Sequence, residues 1–144
     1  MPETVKIPDG FTAEELVPPE VFALLGDLSA RIFDPAVFDV LKQLRADFGP
    51  LIINNWHRKG EFRYRGFRPL TYDGGAPKSQ HRLAGAIDCH SPTIPTPDLR
   101  AKVIAKARAN EGAYAKIGAI EDGVNWLHFD VRPRVNGQLL VFKP

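Results

Sequence analysis

Two short stretches hold most of the side chains able to do chemistry. Ser79 to His90 reads SQHRLAGAIDCH, with two histidines, an aspartate and the single cysteine of the chain. Trp126 to Arg132 reads WLHFDVR, with a histidine, an aspartate and an arginine. Histidine nitrogen and carboxylate oxygen are ligands for a catalytic zinc ion, which takes three protein ligands and keeps one position open. His81 and Asp88 can flank a turn running into a strand and so point at one ion. The third ligand must return on a neighbouring strand, and His128 is the candidate. Side chains alternate along a strand. Over NWLHFDVR, therefore, Trp126, His128, Asp130 and Arg132 share one face, and Asn125, Leu127, Phe129 and Val131 the other. A histidine, an aspartate and an arginine on one face resemble the floor of a site more than a core. Other readings stay open at this level. Lone histidines are commonly hydrogen-bonded surface residues, and Asp88 with His90 would also share a strand face. Cys89 reads as a small buried residue.

The elements that must position these residues follow from periodicity. FTAEEL (11–16) carries a capping-box pattern, Thr12 with Glu15. Residues 17–33 read as one helix with Pro19 in its first turn and Val21, Leu24, Leu25, Leu28 and Ile32 on one stripe. Asp34-Pro35 starts a second helix to about Phe48, stopped by Gly49-Pro50. LIINNW (51–56) is apolar and β-branched and reads as a strand. AGAIDCH (84–90) reads as a short strand. Thr96-Pro97 opens a helix that Gly112 ends, and strands are expected near 114–119, 125–132 and 138–143. Helices first and strands later predict an α+β fold, a small antiparallel sheet with flanking helices.

The bulk numbers set bounds. The chain's 144 residues are the size of one domain. Hydrophobic residues at 44% and charged residues at 25% exclude a disordered or fibrous chain. A single cysteine excludes an internal disulfide. The N-terminal MPETVKIPDGF has no basic region leading into an apolar run, which argues against a cleavable signal peptide. There is no apolar run long enough for a membrane span. Synthesis in the cytoplasm and a monomeric state are therefore expected. A net charge of +2 suits an anionic partner without naming one.

SQHRLAGAIDCH resembles the Ser-x-His-x(6)-Asp motif of the D-Ala-D-Ala carboxypeptidase family of zinc peptidases. WLHFDVR is similar to its second motif in a phage and bacterial branch. FTAEEL, DPAVFDVLKQLRADFGPLIINNWHR and GGAPKSQH also resemble that branch's opening, leading helix and approach to the first histidine, so the likeness spans about residues 11–132 in order. The resemblance implies a single domain with a DD-peptidase- and Hedgehog-like fold, and a zinc-dependent peptidase hydrolysing peptidoglycan stem peptides, as a carboxypeptidase or an endolysin-like enzyme. It implies zinc ligands His81, Asp88 and His128, and Ser79 supporting the first of them. Arg58 takes the place of the arginine over the substrate carbonyl, where a guanidinium would stabilise an oxyanion. Such an enzyme would act at the cell wall after release.

Two positions depart from the pattern. Ala84 stands where the family usually has glycine. Asn125 stands where better-known members carry the acidic general base, and an amide cannot take a proton from water. Asp130 is then the first candidate for that role, or a supporting partner of a ligand histidine, with Glu121 and Asp122 behind it. Asn125 also motivates a second expectation, a zinc-binding but non-hydrolytic relative acting as a peptidoglycan-binding or virion structural module. A third is nucleic-acid binding through HRKGEFRYRGFR (57–68), whose cations alternate with aromatics. The pI of about 8.8 is below that usual for such a domain.

Overall fold

The computed structural model describes residues 5–74 and 79–144. The GGAPK part of the approach to His81 thus lies largely outside the described residues. Among the described residues, four α-helices and four strands are joined by 3-10 segments and loops: α1 (Ala13–Leu16), α2 (Pro19–Leu25), α3 (Pro35–Phe48), β1 (Ala86–Cys89), α4 (Thr96–Arg108), β2 (Ala119–Glu121), β3 (Leu127–Asp130) and β4 (Leu140–Phe142). The α+β expectation holds, with one correction. The sheet is mixed: in the order β1-β3-β2-β4, β3 pairs antiparallel with β1 and β2, while β2 and β4 run parallel.

Local chemistry explains the boundaries. The Thr12–Glu15 capping box opens α1, with Glu15 Oε2 accepting from the Thr12 N–H at 2.8 Å. The Asp34 carboxylate caps α3, and Gly49 ends it at φ 81°. The single helix expected over 17–33 breaks at Gly26, whose φ of 52° suits glycine. A 3-10 segment, Gly26–Ile32, continues from there. LIINNW is not a strand; Ile52 alone pairs, as an isolated bridge to His90. The reason is that asparagine side chains replace the ladder. Asn54 Oδ1 accepts from the Arg65 N–H and Asn55 Oδ1 from the Phe62 N–H, each at 2.9 Å. Near 114–119 the chain makes a 3-10 turn, Gly112–Lys116, before entering β2.

Register assigns the two faces of the sheet. Ile87, Cys89, Leu127, Phe129 and Ile120 join the buried core with Val37, Leu41 and Leu44 of α3 and Leu99 and Val103 of α4. On the other face, Asp88 lies opposite His128, His128 opposite Glu121, and Glu121 beside Phe142. A row of three chemically active side chains and one aromatic therefore crosses all four strands.

Candidate metal centre

His81 sits in a 3-10 turn, Gln80–Leu83, whose first N–H groups need a cap. Ser79 Oγ provides it, accepting from the His81 N–H at 3.2 Å. Ala84 ends the turn in the left-handed region at φ 54°, so alanine follows the backbone path there that glycine would take more cheaply. His81 Nδ1 lies 2.8 Å from the Gly66 carbonyl, which can only accept, so Nδ1 carries the proton. That leaves Nε2, 3.2 Å from Asp88 Oδ1, as the ligand atom.

Asp88 and His128 meet because β1 and β3 place them directly opposite, with Asp88 Oδ1 2.8 Å from His128 Nδ1. The other His128 nitrogen, Nε2, lies 2.9 Å from Asp130 Oδ2. Asp130 is two residues along the same strand face, fully buried, and gripped by Arg132 Nε at 2.7 Å and Nη2 at 2.6 Å. Burial opposes a charge on His128, but its bonds to Asp130 and Asp88 outweigh that and raise its pKa to about 9. Burial would likewise raise Asp88, yet the two histidines hold it well below the usual carboxylate range. For Asp130, His128 and Arg132 overcome burial in the same sense.

His81, Asp88 and His128 are all buried, and their ligand atoms lie within 4.8 Å of one another. No other such group of His, Cys, Asp and Glu occurs among the described residues. Ligands sharing a tetrahedral zinc ion at its usual bond lengths stand roughly 3.3 Å apart. The 3.2 Å separation between Asp88 and His81 is close to that spacing, while the 2.8 Å between Asp88 and His128 is a hydrogen-bond distance and somewhat shorter. The donor set of two imidazoles and one carboxylate can therefore hold a metal ion. It faces a cavity of about 540 Å³, walled by Arg68, Glu121, Trp126, Arg132 and Phe142. The Phe142 ring meets His128 edge-on, 5.7 Å between centroids. Volume alone does not mark the site: a depression of about 580 Å³ between α3 and the 112–116 turn has no convergent ligands.

The remaining expected residues lie elsewhere. Arg58 is exposed and lines a separate depression with Glu15, Asn54 and His57. Besides Arg132, which grips Asp130, the cavity holds Arg68, with Nε fixed to the Tyr64 carbonyl at 2.8 Å and Nη2 3.3 Å from Asp88 Oδ2. Asn125 is exposed and outside the cavity lining. Asp122 is taken up by Arg100 and the Gly123 N–H. His90 leaves the ligand group for Arg65, 2.8 Å away, and burial with that guanidinium holds it below the usual histidine range. Cys89 points into the core, where burial pushes its thiol up to about 12. Sequence reasoning missed Arg68, for which no spacing signal exists, and Gly66, whose part is played by a backbone carbonyl.

Comparison with protein-family models, curated proteins and solved structures finds no match.

Proposed function

We propose that this chain is a zinc-dependent peptidase acting on the stem peptides of bacterial peptidoglycan. The observation that carries the reading is the convergence of His81 Nε2, Asp88 Oδ1 and His128 Nδ1 on the floor of a cavity. The same donor set also serves ferrous iron. Zinc and a peptide substrate are chosen here because SQHRLAGAIDCH and WLHFDVR resemble the zinc peptidases. His81, Asp88 and His128 would hold the zinc ion, which when bound would supply a Lewis acid for the peptide carbonyl and lower the pKa of a water molecule toward neutral pH.

The chain's own residues supply the rest. Asp130 accepts from His128 Nε2 and fixes the ring so that Nδ1 faces the cavity. Arg132 keeps Asp130 ionised and in place. Arg68 brings a positive charge to the cavity beside Asp88 and takes the oxyanion-stabilising role expected of Arg58. Trp126 and Phe142 form apolar walls. Asp130 is a supporting partner in this reading and not the proton acceptor: it is fully buried and committed to His128 and Arg132.

The non-hydrolytic alternative keeps one observation in its favour, the exposed amide at Asn125. Two measurements separate the readings. Zinc per chain is determined by mass spectrometry for wild type, His81→Ala and His128→Ala, and peptide release from purified peptidoglycan is followed for the same proteins. One zinc per wild-type chain, lost in both variants together with peptide release, is the expected result. Zinc with retention on peptidoglycan but no release would establish the binding module. Folded protein that takes up no zinc would overturn both.

A further inference from the structure

We infer that Glu121 is the catalytic proton acceptor of this site, in place of the carboxylate missing at Asn125. The inference rests on the peptidase reading. Glu121 lies opposite His128 in the β2–β3 register, on the same sheet face as Asp88. Its side chain is 16% exposed and lines the cavity. Its Oε2 is 4.0 Å from His128 Nδ1, the atom that faces Asp88. It does not belong to the convergent ligand group. It therefore stands beside the ligands, at a separation that a water molecule in front of them can bridge.

Glu121 also differs from its neighbours in what it lacks. Asp88 has Arg68, Asp130 has Arg132 and Asp122 has Arg100. Among the described residues Glu121 makes no ion pair with an arginine or lysine and no side-chain hydrogen bond; its one ion-pair contact is with His128. Its carboxylate is therefore open to whatever occupies the cavity, and a water molecule and a substrate amide are the donors that hydrolysis brings.

The step balances as follows. The water oxygen forms a bond to the carbonyl carbon of the scissile peptide while Glu121 takes one proton from that water. The C–N bond then breaks, and Glu121 returns the proton to the departing nitrogen. The products are a carboxylic acid and an amine, and Glu121 is regenerated.

Glu121→Gln keeps the size of the side chain and removes its ability to take a proton. Zinc-loaded wild type, Glu121→Gln and Asp130→Asn are compared for peptide release from purified peptidoglycan and for zinc affinity by chelator competition. Glu121→Gln is expected to lower kcat by roughly 10²–10⁴-fold with KM little changed, and to hold zinc within about tenfold of wild type. Asp130→Asn is expected to weaken zinc binding by about 10–100-fold. Wild-type kcat in Glu121→Gln overturns the assignment while leaving the peptidase reading intact. Zinc loss in Glu121→Gln as severe as in His128→Ala overturns it too, by making Glu121 a ligand. No release by zinc-loaded wild type brings down both the assignment and the peptidase reading.

Discussion

His128 is held by two carboxylates, and that fixes how the site responds to pH. Without an ion the imidazole keeps its second proton to about 9, against an ordinary 6.5. A raised histidine pKa stabilises the fold fully below the unfolded value, and the contribution is lost as pH rises through the folded one. The metal-free protein should therefore lose stability between about pH 6.5 and 9, as a urea titration across that range would record. An ion bound at Nδ1 must displace a proton, so apparent zinc affinity should rise by about tenfold per pH unit over the same range. A flat profile would mean that Nδ1 is not the ligand atom. The His81, Asp88 and His128 cluster was legible in part: a turn into a strand and a shared strand face suggested it, but spacing left His90 open as an alternative, and the resemblance chose among them. The partners that orient them were less so. Arg68 sits in a glycine- and arginine-rich segment with no period, and Glu121, a candidate proton acceptor ranked behind Asp130, lies on a strand of three residues, too short for alternation to give its face.

The elements act on the site mainly through the backbone. The Gly66 carbonyl accepts from His81 Nδ1, and an added Cβ at Gly66 would fall 2.0 Å from the Leu16 carbonyl oxygen. Neither group can move freely, because the Phe67 N–H bonds that same oxygen at 2.9 Å. Gly66→Ala should cost about 1–3 kcal/mol by urea denaturation and weaken zinc binding by about 10–100-fold in a chelator competition. Unchanged values in both would show that this contact does not hold the ring. On the far side, Arg100 of α4 donates to the Trp126 carbonyl at 2.8 Å and also to that of Val124. A helix thus secures the turn entering β3. α3 was readable from its cap, apolar stripe and stop almost to the residue, while α4 ends at Arg108, short of the expected Gly112. The 17–33 stripe was not readable, since the helix breaks at Gly26 and Leu24, Leu25 and Leu28 are exposed. The 51–56 segment was not, because propensity names a strand there while Asn54 and Asn55 supply bonds that a composition pattern does not anticipate. The sheet's direction was equally hidden: β4 is reached through a loop after β3, and nothing in QLLVFK says that it passes β3 to lie parallel to β2.

At the scale of the whole molecule, no described helix is long and apolar enough to cross a membrane. The cations of the 57–68 segment divide. Arg65 and Arg68 turn inward to His90 and Asp88, leaving Arg58, Lys59 and Arg63 exposed. That division weakens the nucleic-acid reading, since two of its five cations are already engaged inside the protein. Because an ion at this centre joins β1, β3 and the turn before β1, its binding should stabilise the entire fold. At free zinc about 1,000-fold above Kd the gain is about 4 kcal/mol, on the order of 10 °C in Tm for a domain of this size. Scanning calorimetry with and without chelator should show this difference, and coincident transitions would mean that the folded chain binds no zinc in preference to the unfolded one. The facing of Asp88 and His128 across β1 and β3 has one more consequence. Strand side chains alternate, so a slip of one residue would turn His128 into the core and bring Leu127 or Phe129 to the cavity. A chain so mispaired would lack the third donor, so metal bound at this centre would count correctly assembled molecules. In a preparation holding less than one ion per chain after saturation, the shortfall would measure the misassembled fraction directly.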